Sequence, residues 1–310
     1  MKRVITNIFV IILFLAGLSL LLYPFVANEW NTYRQNQLLT NYDQTIAEQE
    51  AQGSIDYRSE WDRANAYNDG ILPMILPDSF AIAQATDAPD PEYLACINLA
   101  GDGMMGYVEI PKIKIKLPIY HTTYPEVLEK AAGHLEGSSL PVGGPSTHAV
   151  ISAHRGLPSA ALFTDLDKLK EGDHFILRIL DEILCYEVDM ISVVKPTETE
   201  ALQVEDGEDH VTLLTCTPYG VNSHRLLVRG HRVPYVEEVI QQIEEQEATV
   251  KDISIHTNYL MWVYIGLGIT GAFVIFLFVR EKKLRRRLMQ ERIQKLDNQD
   301  VMMDDDSMKE

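Results

Sequence analysis

Two uncharged apolar runs bracket this chain and leave only the stretch between them to fold in water. Val4 to Asn28 contains no Asp, Glu, Lys or Arg and is dominated by Ile, Leu, Val and Phe; Asn258 to Val279 is a second such run. Each is long enough to cross a bilayer core as a helix, which takes about 20 residues. Lys2 and Arg3 precede the first run, and Arg280, Lys282, Lys283, Arg285, Arg286 and Arg287 follow the second. Positive charge on the outer flank of both runs predicts cytoplasmic termini and places residues from about 29 to 256 outside the cell. The first run exceeds a typical signal-peptide core, and Phe25-Val26-Ala27 is a poor small-x-small cleavage site, so a retained anchor is expected.

The 310 residues carry a formal net charge of -18. That balance argues against a nucleic-acid partner, because phosphate binding needs clustered Lys and Arg; it suits a solvated extracellular domain. Three cysteines, Cys96, Cys185 and Cys216, lie in the middle segment, and an odd count leaves at least one thiol free. Cys96 and Cys185 either pair or stand as two buried thiols.

Between the spans the patterning changes twice. Trp30, Tyr33, Leu38, Tyr42, Ile46, Tyr57, Trp61, Ala64, Tyr67 and Ile71 recur at helical spacing, and Pro73 and Pro77 are expected to end this helical stretch. Residues 77 to 101 read as an irregular loop with a short helix around Glu92 to Leu99. From Gly103 onward short apolar, partly alternating segments dominate: Val108 to Ile110, Ile113 to Tyr120, His148 to Ala153, Phe175 to Leu180, Leu184 to Val194, Val211 to Thr215 and Arg225 to Val228. Pro and Gly clusters separate them, and short helices are expected over Glu126 to Gly133 and Ser159 to Lys168. Many short strands at this spacing predict a mainly β barrel or sandwich. Pro234 to Val250 is acidic with a helical pattern. The basic start of the tail is expected against anionic headgroups, and its end, Met302 to Asp306, to be disordered.

Chemistry concentrates in three places. Cys216 ends the apolar run Val211 to Thr215 and precedes the turn signal Pro218-Tyr219-Gly220, which predicts a thiol exposed at a strand end, where a nucleophile needs to be. His154 ends a second apolar strand and is a candidate proton carrier. Arg225 begins the strand after Cys216, so it should return beside it across a hairpin and could hold an oxyanion or a substrate carbonyl. Thr215 either offers a hydroxyl to substrate or is a β-branched packing residue. Arg155 and Arg229 read as supporting or surface residues. A thiolate–imidazolium pair and a neutral pair are both open.

Thr212-Leu213-Leu214-Thr215-Cys216, with His154 upstream and Arg225 downstream, resembles the sortase family, in which a Thr-Leu-x-Thr-Cys strand carries the nucleophile. The segments 103–113, 133–141, 152–158, 162–166 and 216–222 extend the resemblance to class C, the pilus-assembling sortases of Gram-positive bacteria. The resemblance covers about 103 to 234 closely and implies an eight-stranded sortase β-barrel. It implies catalytic roles for Cys216, His154 and Arg225, and no metal or organic cofactor. It also implies an N-terminal lid with an Asp-Pro-aromatic motif, the Asp facing the catalytic Arg and the ring covering the Cys. Pro77-Asp78-Ser79-Phe80 fits with Ser79 in place of Pro, and so assigns Asp78 and Phe80; Asp90-Pro91-Glu92-Tyr93 is the competing segment.

The expected organisation is then a transmembrane anchor over 1–28, an extracellular helical region with the lid over 29–102, and the catalytic barrel over 103–234. A juxtamembrane helix (235–257), a second span (258–280) and a cytoplasmic tail (281–310) follow. The resemblance implies a membrane-anchored cysteine transpeptidase. It would cleave a Leu-Pro-x-Thr-Gly-like sorting signal between Thr and Gly, hold the acyl group as a thioester, and pass it to a Lys amine of a pilin subunit. A housekeeping enzyme that anchors surface proteins to peptidoglycan, and a non-catalytic envelope scaffold, are the alternatives. Expected partners are pilins or surface proteins with such signals and the lipid bilayer, with no nucleic acid.

Overall fold

The structure, a computed structural model, describes residues 2–71, 76–81, 88–249 and 255–307. In chain order its elements are α1 (Lys2–Ala51), α2 (Tyr57–Gly70), α3 (Pro91–Ala95), β1 (Met104–Ile110), β2 (Ile115–His121), α4 (Pro125–Leu128), β3 (Ala132–His134), β4 (Thr147–Ser152), β5 (His174–Ile179), β6 (Glu182–Val194), β7 (Asp209–Thr217), β8 (His224–Val233), α5 (Glu237–Thr249) and α6 (Ile255–Ser307). Tyr23–Ile253 form one compact unit; the terminal segments, up to Leu22 and from Ser254 on, form another. α1 and α6 each contain a stretch long and apolar enough to cross a membrane.

The strands close into the expected eight-stranded barrel, in the order β1-β2-β3-β4-β7-β8-β6-β5. Neighbours run antiparallel except β2 beside β3 and β4 beside β7, which are parallel. Period-two alternation divides each strand between two faces. On β8, Leu226 and Val228 join the main core with Phe163, Phe175 and Tyr186. Leu227, between them, joins a separate outer cluster with Leu76, Leu135, Val150, Leu202 and Leu214. That outer apolar surface spans β4, β7 and β8 and forms the bed of the site described below.

The helical region departs from expectation in register and extent. α1 runs without a break from the first apolar run through Ala51, and its packed face is buried Gln35, Leu39 and Tyr42 with half-buried Ile46, at spacings of three and four. These residues pack on Met104, Tyr107 and Tyr120 of β1 and β2, and Gln35 donates to the Lys130 carbonyl. Trp30 and Tyr33, expected on the same stripe, are exposed. α2 begins at an Asp56 cap, whose carboxylate accepts from the Ser59 amide, and ends at Gly70, before either proline; Pro73 lies outside the described residues.

Other expectations change as well. The helix expected over Glu126 to Gly133 is a single turn, Pro125–Leu128, because Ala132–His134 are taken by β3. Ser159 to Lys168 holds only a 3-10 turn at Leu166–Lys168. Its chain is pinned instead by the Phe163 amide donating to the His154 carbonyl and by burial of Phe163 and Leu166. The expected helix near Glu92 is Pro91–Ala95. Cys96 and Cys185 are buried free thiols, not a disulfide. α6 continues to Ser307 through the acidic end expected to be disordered, since no Gly or Pro follows Gly271 to stop it.

Candidate active site

Three neighbouring strands bring the candidate residues together, with the cysteine in the middle. β4 and β7 run parallel with Ser152 opposite Leu214, and the Ala153 amide donates to the Leu214 carbonyl at 3.1 Å. Two residues beyond that pair along each chain stand His154 and Cys216, so the parallel register places at neighbouring strand ends two residues 62 positions apart in the sequence. On the other side, the β7–β8 hairpin makes Cys216 and Arg225 direct cross-strand partners, as the hairpin reading required.

Cys216 was expected at an exposed strand end, but it is buried, with 6% of its surface accessible. Residues 76–81 form a strap that lies beside it on the outer faces of β4, β7 and β8. Asp78 grips Arg225 through two bonds of 2.7 Å, Nε to Oδ1 and Nη2 to Oδ2. The remaining terminal nitrogen, Nη1, donates to the carbonyls of Asn222 and His224. Phe80 stands 5.2 Å from the His154 ring, and the Arg225 guanidinium lies 5.2 Å from the Phe80 ring centre. Ser79, at the position where the resemblance expects proline, is fully buried, and its Oγ accepts from Ser152 Oγ at 2.8 Å. Leu76 and Phe80 rest on the outer apolar bed, and a narrow cleft lined by Asp78, Ser79, Val194, Leu202, Leu214 and Arg225 runs alongside.

The competing segment has a different job. The Asp90 carboxylate caps α3 by accepting from the Glu92 amide. Tyr93 is buried in the core, with its hydroxyl 2.9 Å from His134 Nδ1. Thr215 is also fully buried, and its Oγ1 donates to the Ala153 carbonyl at 2.7 Å, which ties β7 to the end of β4. Ser152 was not singled out from the sequence, and Ser79 was noted only as standing in place of proline. Two serines 73 residues apart leave no local signal that they meet.

The electrostatics of this closed arrangement favour uncharged reactants. Burial pushes the Cys216 thiol up; the Arg225 charge pulls against that, and Asp78 adds to it. Burial pushes the His154 imidazole down, with Glu129 opposing. Both shifts lead to a neutral thiol beside a neutral imidazole near pH 7, so of the two pairs left open the closed site holds the neutral one. Among the described residues no group of three or more His, Cys, Asp or Glu side chains is placed to hold a metal ion.

Comparison with known proteins finds related chains over the barrel. A family model described as a sortase domain matches residues 108–233. Sortase A of Bacillus anthracis is 29% identical over 154 residues, which cover 50% of this chain and 71% of that protein. The crystal structure of sortase C-1 from Actinomyces oris is 47% identical at a TM-score of 0.54, covering 57% of this chain and 97% of that one. The pilus-related sortase C of Group B Streptococcus is 45% identical at a TM-score of 0.53, covering 58% and 90%.

Proposed function

The chain belongs to the sortase family of cysteine transpeptidases, and from that premise we propose that it polymerises pilins at the outer surface of the membrane. The observation that carries this reading is the constellation itself: Cys216 between His154 and Arg225 on one barrel face, under a strap whose Asp78 occupies the arginine.

In this reading the strap first leaves Arg225, freeing Nε and Nη2. Cys216 Sγ then attacks the carbonyl carbon between Thr and Gly of a Leu-Pro-x-Thr-Gly-like signal, and its proton passes to His154. Arg225 donates to the oxyanion as it forms. Collapse breaks the C–N bond, His154 gives its proton to the leaving Gly amine, and the acyl group stays on Sγ as a thioester. A Lys amine of a pilin attacks the thioester, His154 takes a proton from it, and the thiol leaves reprotonated. One amide bond is broken and one is made, with no net redox change.

The strap supplies control. While Asp78 is in place, the oxyanion donors are occupied and the thiol is held in its less nucleophilic form. The two apolar helices support a membrane anchor. The basic residues outside both apolar runs support cytoplasmic termini, and exposed Trp30 and Tyr33, just beyond the first run, suit the interfacial layer.

The test uses the full chain in detergent micelles with a Leu-Pro-x-Thr-Gly peptide, read by intact mass. An acyl adduct that is absent in Cys216→Ala, and that a Lys-bearing pilin discharges into a covalent dimer, is the expected result. Adduct discharge only to water or to a peptidoglycan-type amine would overturn the pilus assignment, and no adduct with the strap released would overturn catalysis by this site.

A further inference from the structure

The residues that flank the candidate thiol are tied to those that flank the candidate imidazole. Before Cys216, Thr215 Oγ1 donates to the carbonyl of Ala153, the residue before His154. After Cys216, Thr217 Oγ1 accepts at 3.3 Å from Nη1 of Arg155, the residue after His154. The second tie differs in kind from the first. It is made by a charged side chain with only 10% of its surface accessible, and its other terminal nitrogen, Nη2, is paired with Asp167.

Asp167 sits in the 3-10 turn Leu166–Lys168, anchored by the buried Leu166. The same stretch returns to the histidine segment twice more: the Phe163 amide donates to the His154 carbonyl at 3.1 Å, and the Gly156 amide donates to Thr164 Oγ1 at 3.2 Å. Gly156 has φ of +79, and a Cβ there would come within 3.1 Å of the Tyr219 ring, which leans on it from the β7–β8 turn. His154 lies beyond the last ladder pair of β4, so the sheet alone does not hold it. Arg155 joins its segment both to the strand end that carries the thiol and to the 163–168 turn. Its Nε is buried and unpartnered among the described residues. A buried donor left without a partner is costly, so its retention calls for a role.

We infer that Arg155 is a positioning residue for the transpeptidation reaction, setting the distance and angle between His154 and Cys216 through its two-way tie to Thr217 and Asp167. The inference rests on the reading of Cys216 and His154 as the reacting pair. Proton transfer between them in both half-reactions requires a geometry held to within about 0.5 Å. A misplacement of about 1 Å costs on the order of a hundredfold in rate. Arg155 touches neither reacting atom and acts only through the backbone of its neighbours.

The experiment measures acylation of the full chain in micelles by a Leu-Pro-x-Thr-Gly peptide, across pH and peptide concentration. It compares wild type with Arg155→Met, Arg155→Lys, Asp167→Asn and Thr217→Val. Arg155→Met should lower the maximal acylation rate about 10- to 100-fold, leave KM within about twofold, and shift the pH of half-maximal rate. Arg155→Lys, which keeps the charge opposite Asp167, should recover part of the rate. Thr217→Val should add little on top of Arg155→Met, because both remove the same tie. Asp167→Asn and Thr217→Val each remove one contact and keep the test open if Arg155→Met does not fold. Wild-type acylation with unchanged rate and pH profile in all folded variants would overturn this inference alone. No wild-type acylation, even with the strap released by Asp78→Ala, would overturn the reading of the pair and this inference with it.

Discussion

Arg225 and Arg229 lie four residues apart on β8, on the same face of the strand, and each grips an aspartate through two parallel bonds. Arg225 holds Asp78 at 2.7 and 2.7 Å; Arg229 holds Asp189 at 3.1 and 2.9 Å. The chemistry is the same but the partner's place in the chain is not. Asp189 belongs to the barrel: it sits at the bulge of β6, between Val188 and Met190, where an extra residue re-aims a side chain. Asp78 belongs to a strap 147 positions away in the sequence, joined to the barrel face by Arg225, by Ser79 and by the apolar bed under Leu76 and Phe80. An ion pair within a sheet fixes structure. The same pair between a sheet and a distant segment ties that segment onto the face that carries Cys216 and Arg225.

The largest difference between the two ends should come from the arginines. Arg225→Lys is expected to lower kcat/KM for transpeptidation by on the order of 100- to 1000-fold, as loss of a fixed oxyanion donor does. Arg229→Lys should leave turnover within about threefold and instead lower the melting temperature of the barrel. Comparable activity losses in both would erase the distinction.

Acid should act next, and at the Arg229 end. His148 lies on that outer face; its Nδ1 donates to the Gln203 carbonyl and its Nε2 accepts from Thr212 Oγ1. Burial, with His210 and Arg229 nearby, pushes it from 6.5 to about 4. The folded value is depressed, so the unfolded chain takes up the proton first. Stability is therefore full above pH 6.5 and lost as pH falls towards 4, by on the order of 3 kcal/mol. Buried His134, also at about 4, should add a similar amount. Near-UV circular dichroism melts between pH 7 and 4.5 should show this slope, and His148→Gln should flatten part of it; parallel slopes would sink the assignment.

The aspartates give a smaller effect. Asp78→Ala should speed labelling of Cys216 by a thiol reagent about tenfold at pH 7, because it uncovers the thiol and removes the carboxylate that raises its pKa. Asp189→Ala should leave labelling unchanged and cost about 1–3 kcal/mol of stability. Equal labelling of wild type and Asp78→Ala would mean that the strap does not gate the thiol. The smallest change is expected from Phe80→Ala, a two- to threefold gain in labelling at about the worth of one cation–π contact; a gain larger than that of Asp78→Ala would make the ring, and not the ion pair, the main closure.

Much of this was legible in the chain. Alternating apolar residues announced most of the strands, because a half-buried strand must alternate. Cys216 and Arg225 could be paired because a tight hairpin sets its own register. β3 was not visible: three residues, Ala132–His134, are too few to show a period. Residues 159–168 have helix-like spacing yet form almost no helix, because the His154 carbonyl, the Arg155 guanidinium and the core claim them from outside. Asp78 was favoured over Asp90 on resemblance alone; the difference between a strap carboxylate and a helix cap lies in which distant groups each one reaches.

The two apolar helices, the β character of the middle, and the identities of the thiol, the imidazole and the guanidinium follow from the order of residues alone, since length, periodicity and side-chain chemistry are local properties. The packed fold sets the rest: β4 lies parallel to β7 and puts His154 and Cys216 at neighbouring strand ends, Arg155 ties those ends together, and Asp78 and Ser79 fasten the strap to the same face. Those are contacts between residues 62 to 147 positions apart. The loop entropy they cost is recovered only when the whole barrel closes, so no segment read alone can reveal them.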